Sequence, residues 1–209
     1  PSLIAAKDDE ISRLEEIYAR NLDRAGAEIF RSRATVADPH TVELETHGHR
    51  VSARHILIAT GATPFVPDFP GSHHAITSNE IFDLPHRPER AVIVGGGYIA
   101  CEFAGILNGL GTRVTHLYRG KQILRGFDDD VRDHVAEEAR AKGINLRVET
   151  DIAAIEGAGR ELTVKLKDGG EVPADCVLVA TGRVPNTRGL GLAEAGVELG
   201  PNGEVVVDD

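Results

Sequence analysis

Apolar positions recur along this chain with several rhythms, and each predicts a different element. From residue 2 to 25, Ile11, Leu14, Tyr18 and Leu22 return at three- and four-residue intervals, with Ile17 beside them. That spacing predicts an amphipathic helix. Asp8, Asp9, Glu10, Arg13, Glu15, Glu16 and Arg20 fill its polar side, and Gly26 is its natural stop. Strands are predicted next over Glu28–Val36, Thr41–Thr46 and Val51–Ala59, with a turn near Gly48. The last strand ends in the apolar run Ile56-Leu57-Ile58-Ala59. Pro64, Pro67 and Pro70 then mark a linker, because proline cannot complete a central strand. Thr77 with Glu80 reads as a capping box that opens a short helix to about Leu84.

The middle of the chain changes rhythm. Ala91-Val92-Ile93-Val94 is a buried-strand run, followed by a small-residue helix from Tyr98 to about Leu110 that Gly111 ends. A second strand covers Arg113–Tyr118, and Asp128 caps a helix running to about Lys142, stopped by Gly143. Ile144–Val148 is a third strand. This βαβαβ order predicts an α/β fold with a Rossmann-like parallel sheet. Residues 151–173 predict an antiparallel β excursion that turns at Asp168-Gly169-Gly170. Asp175–Ala180 returns as a buried strand. A short helix near Leu190–Ala195, a turn at Pro201-Asn202-Gly203 and a strand over Glu204–Val207 complete the pattern, stopping on Asp208 and Asp209.

The turn after Val94 carries chemistry. Gly95, Gly97 and Ala100 fall in the G-x-G-x-x-G/A spacing between a strand and a helix. Gly95 lets the chain turn sharply off the strand, and Gly97 leaves room for a pyrophosphate. Ala100, with Ala104 and Gly105 behind it, lets the helix lie close on the sheet. The free N–H groups of the first helical turn then face an anion. In NAD-binding versions an acid ends the second strand. Here that end is Tyr118-Arg119, and no Asp or Glu occurs between Glu102 and Asp128. The same interval holds Arg113, Arg119, Lys121 and Arg125. Arg119 and Arg125, with no carboxylate between them, suit a 2′-phosphate, which favours NADP over NAD.

Bulk composition narrows the picture further. The chain has 209 residues, 41% hydrophobic and 27% charged, with a net charge of -10. These are values of a soluble globular protein of one large or two small domains. The acidic balance argues against nucleic acid or anionic membrane as partners. No apolar run approaches the roughly 20 residues of a membrane span, and no secretory leader is expected from the first residues. The two cysteines, Cys101 and Cys176, have neither redox nor metal spacing and are expected to be buried structural thiols in a reducing, cytoplasmic compartment. No ligand spacing closes a metal site around His116, His134 or His73-His74, so these are expected on solvent-exposed or strand surfaces. The chain has no methionine and begins at Pro1, which suggests a piece of a longer protein.

The stretches Ile56-Leu57-Ile58-Ala59-Thr60-Gly61 and Val177-Leu178-Val179-Ala180-Thr181-Gly182 look alike. Together with Gly95-Gly96-Gly97-Tyr98-Ile99-Ala100-Cys101-Glu102, Arg119, Arg125 and Arg183-Val184-Pro185-Asn186, they resemble the flavin-dependent disulfide reductases, the class I pyridine nucleotide-disulfide oxidoreductases. Residues 13–22 resemble the substrate-side helix of the glutathione reductases within that family. The resemblance implies that Gly95, Gly96, Gly97, Ile99, Glu102 and Gly182 line NADPH, with Arg119 and Arg125 on its 2′-phosphate. It implies that Tyr98 shields the flavin until nicotinamide displaces it. Ala34, Thr60, Gly61 and Arg183 fall on the FAD side, and Tyr18 and Asn21 face the glutathione site. Residues 63–182 are then an NADPH-binding domain with its entry linker. Residues 1–62 and 183–209 are partial FAD-domain segments.

What the chain lacks also counts. The family's CxxxxC redox pair, its N-terminal FAD fingerprint and its C-terminal dimer domain are not in this sequence. No residue of this chain is therefore expected to be catalytic. The resemblance implies a parent, a homodimer, that reduces glutathione disulfide by passing electrons from NADPH through FAD to a cysteine pair. The chain alone is expected to be inactive. An isolated nucleotide-binding module without turnover is the alternative, as is a trypanothione-type reductase, which has a similar Tyr118-Arg119-Gly120 and Leu124–Asp128. A lipoamide dehydrogenase would want an acid near Tyr118.

Overall fold

A computed structural model of the chain describes residues 2–46 and 48–208. It forms two units: Pro64–Arg183, and Ser2–Thr63 together with the chain from Val184 onward.

The second of these begins with α1 (Ser2–Arg24). The Ala25 N–H still donates to the Asn21 carbonyl at 3.1 Å, and Gly26 then leaves the helix at φ 73°. The predicted apolar stripe is present in sequence, yet no residue of α1 is buried and Tyr18 is 63% exposed. β1 (Ala34–Asp38), β2 (Thr41–Leu44) and β3 (His49–Ser52) make an antiparallel meander, with Val36 opposite Val42 and Val42 opposite Val51. The first and third predicted strands are longer than those observed. Residues 28–33 are irregular, and the run Ile56-Leu57-Ile58-Ala59 is not a strand; Leu57 is 88% exposed. A β-branched run becomes a strand only beside a partner's N–H and C=O groups. Residues 54–59 meet none among the described residues.

β4 (Ala62–Pro64) and β12 (Arg183–Pro185), the strands on which the chain passes between the units, pair with each other. Beyond them, the predicted helix at 190–195 is a single turn, closed by the Ala195 N–H donating to the Gly191 carbonyl at 3.1 Å. Gly191 and Gly196, at φ 73° and 85°, bracket it and stop propagation on both sides. The predicted strand over 204–207 reduces to one bridge, Val205 to Leu199. Asp209, at the end of that expectation, lies outside the described residues, as does Pro1.

The unit Pro64–Arg183 is built on four parallel strands in the order β11-β5-β6-β7. In chain order these are β5 (Arg90–Val94), β6 (Arg113–Leu117), β7 (Asn145–Arg147) and β11 (Cys176–Val179). α2 (Tyr98–Gly109) and α3 (Asp129–Ala141) are the crossovers. The antiparallel excursion is β8 (Ile152–Ala158), β9 (Glu161–Leu166) and β10 (Glu171–Ala174), in the order β10-β9-β8.

Alternation along β5 explains how both faces are filled. Val92 and Val94, with Leu117, Val177 and Val179, pack against Ile155, Val164 and Leu166 of the excursion. Ala91 and Ile93, with Val114 and Leu178, pack against Ala100, Phe103, Ala104 and Leu107 of α2. A strand with both faces covered must be apolar throughout, as Ala91–Val94 is. The helix ends follow local chemistry. The Asp128 carboxylate accepts from the Asp130 N–H at 3.0 Å, and Gly111 and Gly143 end α2 and α3 at φ 86° and 88°. The predicted Thr77 helix is only a 3-10 turn, Glu80–Asp83. Its Glu80 carboxylate accepts from the Thr77 N–H at 2.8 Å and from the Thr77 hydroxyl at 2.7 Å, but Pro85 follows at once.

One buried carboxylate fastens the start of this sheet. Asp175, with a side chain only 5% exposed, accepts from the Glu89 N–H at 2.9 Å, the Arg90 N–H at 2.6 Å and Arg160 at 3.1 Å. Burial opposes its charge. The Glu89 and Arg90 N–H groups and then Arg160 outweigh that and hold its pKa below the ordinary aspartate value. A lowered carboxylate pKa stabilises the fold above the ordinary value, roughly 4, and that contribution is lost as pH falls through the folded-state value. Asp175→Ala is expected to lose about 1–3 kcal/mol at pH 7. Urea unfolding from pH 3 to 7 checks this, since the difference between the two chains should shrink towards the acid end.

Candidate functional site

A cleft of about 1100 Å³ opens at the carboxyl ends of β5, β6 and β11, wholly within the unit Pro64–Arg183. Open α/β sheets bind ligands at such strand ends. The turn after β5, the loop after β6 and the segment Val179–Arg183 form its walls.

The turn is held on all sides. Gly95 has φ 143°, and a Cβ there would fall on the Ala180 carbonyl. Its N–H donates to the Leu117 carbonyl at 3.0 Å. Its own carbonyl lies 2.7 Å from Nε2 of His116. A carbonyl only accepts, so Nε2 carries the hydrogen and donates it. The sequence places His116 on a surface, but the structure buries it, at 1% exposed. β6 is an inner strand, and the polar ring is tolerated there because it finds this partner. Burial pushes its pKa below the ordinary histidine value, and the Gly95 carbonyl offsets that only in part.

The neighbouring glycines have different reasons. A Cβ on Gly96 would enter the Tyr118 ring, and one on Gly120 would lie 2.7 Å from the same ring. Tyr118 is therefore wedged between the turn and the next loop. Gly97 has open space where a Cβ would stand. It precedes α2 in an extended conformation with no side-chain cap, which leaves the first-turn N–H groups unclaimed. Ala100 and Ala104 are buried against the sheet, whereas Gly105 is exposed with nothing near it. The close packing of α2 rests on the two alanines, not on Gly105.

Arg119, Lys121 and Arg125 line the cleft and make no ion pair among the described residues. The acids on its wall are Asp68 and Asp151, and Asp151 is already paired with Lys167 at 2.6 Å. The loop bearing these cations is tied down. The Leu124 N–H donates to the Gly96 carbonyl at 2.6 Å, with Leu124 itself at φ 56°. Arg132 of α3 donates from Nε to the Ile123 carbonyl at 2.9 Å and from Nη2 to the Gln122 carbonyl at 3.1 Å.

Gly95, Gly96, Gly97, Tyr98, Ile99, Arg119, Arg125, Gly182 and Arg183 all line this one cleft. Tyr98 is 55% exposed there. Glu102, one turn further along α2, is exposed and is not among the lining residues. Ala34, Thr60, Gly61, Tyr18 and Asn21 belong to the other unit. In it the Thr60 hydroxyl donates to the Asn186 carbonyl at 2.8 Å, and the Asn186 N–H donates to the Gly61 carbonyl at 2.9 Å. Tyr18 and Asn21 are both exposed, one turn apart on α1. Cys101 and Cys176 are free, and burial pushes both thiols up to about 11. No group of His, Cys, Asp and Glu among the described residues is placed to hold a metal. No helix there is long and apolar enough to cross a membrane.

Sequence reasoning missed Phe65, Pro67 and Phe69, which line the cleft from the proline-rich stretch. It gave Lys121 no site role and passed over Arg132. Lys121 lay in the acid-free interval and was legible there. The Arg132 contacts join residues on different elements, and no local pattern marks them.

The family profile described as pyridine nucleotide-disulphide oxidoreductase matches residues 2–209. The chain belongs to the pyridine nucleotide-disulphide oxidoreductase family. Among its relatives in that family, the glutathione reductase of Burkholderia cepacia is 52% identical over 208 residues, covering 100% of this chain and 46% of that protein. The glutathione reductase of Nostoc sp. is 44% identical over 94% of this chain and 43% of its own length. The chloroplastic/mitochondrial glutathione reductase of Pisum sativum is 44% identical over 100% of this chain and 38% of its own length. The chain thus spans less than half the length of these curated relatives. The HOCl-induced flavoprotein disulfide reductase RclA from Escherichia coli matches with a TM-score of 0.88 at 26% identity, over 98% of this chain and 48% of that one.

Because no positive φ holds Gly96 and the nearest obstacle to a side chain there is the Tyr118 ring, its constraint is steric and testable as a pair. Gly96→Ala is expected to cost about 1–3 kcal/mol. Combined with Tyr118→Ala it should cost clearly less than the two single losses added. A double-mutant cycle by chemical denaturation measures this, and simple additivity would rule out the contact.

Proposed function

We propose that residues 63–182 are an NADPH-binding domain, and that the 2′-phosphate is recognised by Arg119 and Arg125. One observation carries this reading. Cations without acid partners are pinned beside a glycine turn whose helix N–H groups are uncapped. An NAD site would place a carboxylate where Tyr118-Arg119 stands. The residues also fit the bulk of a dinucleotide: the cleft is at the upper end of small-ligand sites.

In this reading Gly95, Gly96 and Gly97 leave space for the pyrophosphate, and the first-turn N–H groups of α2 receive its charge. Ile99 and Gly182 line the path of the cofactor. Tyr98 and Glu102, four residues apart on one helix face, lie on the nicotinamide side. NADPH, when bound, supplies a hydride. Tyr98, exposed in the cleft, would be the ring that shields the flavin of the complete protein until nicotinamide displaces it. Residues 1–62 and 183–209 contribute to an FAD domain in the complete protein, with Ala34, Thr60, Gly61 and Arg183 on the FAD side and Tyr18 and Asn21 facing glutathione disulfide. Those positions alone have no pyrophosphate turn and do not make a flavin site, so no step is assigned through it. We read the complete protein as a homodimeric, cytoplasmic reductase that uses NADPH to reduce glutathione disulfide; its glutathione reductase relatives support the choice of disulfide. No catalytic residue is assigned here, because both thiols of this chain are hard to ionise; Cys176 is buried, and Cys101, expected to be buried, is only half-buried.

The chain is expected to bind NADPH more tightly than NADH in titration calorimetry. A charge-assisted contact is worth roughly 1.5–3 kcal/mol, so Arg119→Ala should weaken NADPH by about tenfold or more and leave NADH nearly unchanged. Equal affinities for both cofactors in the unsubstituted chain would sink the 2′-phosphate assignment. Glutathione disulfide reduction by this chain, followed as NADPH absorbance loss, is expected to be negligible. Enzyme-like turnover would overturn the division of labour proposed here.

A further inference from the structure

Arg132 lines the cleft with every branch of its guanidinium engaged. Nε donates to the Ile123 carbonyl at 2.9 Å, and Nη2 donates to the Gln122 carbonyl at 3.1 Å. Nη1 donates to the Asp129 carboxylate at 2.5 Å. The side chain is 20% exposed although it lines the cleft. Its charge already has a counter-ion, and its donors are committed to backbone. Arg119, Lys121 and Arg125 have no such partners among the described residues.

The segment it grips needs gripping. Leu124 follows Ile123 directly and is buried at φ 56°, a conformation that a leucine rarely adopts without support. Two fastenings hold it there. The Leu124 N–H donates to the Gly96 carbonyl at 2.6 Å, and the Arg132 fork holds the two carbonyls just before it. Gln122 adds a third tie, its Nε2 donating to Asp133 of α3 at 2.6 Å. Arg125 is the very next residue, so its placement depends on this bend.

We infer that Arg132 is a positioning residue for the choice between NADPH and NADH, bracing the loop after β6 so that Arg119 and Arg125 stay beside the glycine turn. The inference rests on the NADPH reading given above. Arg132 does not touch the phosphate in this account; it acts through the two carbonyls. A lysine keeps the charge but lacks the planar fork that spans successive carbonyls. Arg132→Lys therefore separates bracing from direct charge contact, and Arg132→Gln removes both.

The test titrates NADPH and NADH into the unsubstituted chain and both variants by calorimetry, and follows hydrogen exchange at the Leu124 amide. The unsubstituted chain should prefer NADPH. Both variants should lose about three- to tenfold in NADPH affinity, with NADH changed less than about twofold, as expected for one or two lost backbone contacts. Exchange at Leu124 should quicken in both, while thermal unfolding shows each still folded. Retained NADPH affinity in Arg132→Lys, with loss only in Arg132→Gln, would mean direct charge contact and overturn the bracing role. Equal losses for both cofactors would mean a general structural effect and overturn it as well. No preference in the unsubstituted chain would instead fail the NADPH reading itself, and the inference with it.

Discussion

A side chain on Gly95 would fall on the Ala180 carbonyl, and that lack of room governs the cleft. It lets the end of β11 come up against the end of β5. The Ala180 N–H then reaches the Val94 carbonyl at 2.8 Å, which extends the ladder one residue past β11. The carbonyls of the turn are in turn spoken for. His116 takes that of Gly95 and the Leu124 amide takes that of Gly96. With those two carbonyls satisfied within the protein and no side chain capping α2, the helix start is left as a set of donors.

The same economy extends to charge. The chain carries a net charge of -10, yet the loop after β6 is basic. Surface charges farther apart than roughly 8–10 Å are largely screened in physiological salt, so the local balance decides what the cleft attracts. Ordering long cationic side chains on a mobile loop would cost conformational entropy at each binding event. Here the backbone beneath them is fixed beforehand by Gly96 on one side and α3 on the other.

How far this was legible depended on whether a partner lay close in sequence. The βαβαβ order, the Asp128 cap and the stops at Gly111 and Gly143 were readable because their causes are local. The two similar runs ending at Gly61 and Gly182 show the limit. Val177–Val179 lies in a parallel strand beside β5, while Leu57 stands almost fully in solvent. Composition is nearly the same, and only the neighbour differs. His116 misled for a related reason: a polar residue in a strand reads as outward unless its carbonyl partner, Gly95 at the end of another strand, is known. The helix expected near Leu190 failed because the glycines on both sides outweigh the apolar spacing between them. The glycine-turn residues and both arginines do meet on one cleft, and they were legible as a group because backbone geometry and missing acids leave marks in the sequence. The proline-rich wall and Arg132 leave none.

The two units differ in how the chain supplies them. Pro64–Arg183 is one unbroken stretch, whereas the other unit draws on both sides of it. In that other unit the Val36 N–H is satisfied by the Leu190 carbonyl at 2.7 Å, and Gly191 packs against the Val36 carbonyl. During synthesis, therefore, the parallel sheet has all its strands as soon as Arg183 has left the ribosome. Strand β1 must wait, with its amide unmatched, until the chain beyond that sheet arrives. The nucleotide-sized cleft belongs to the part that is able to fold first.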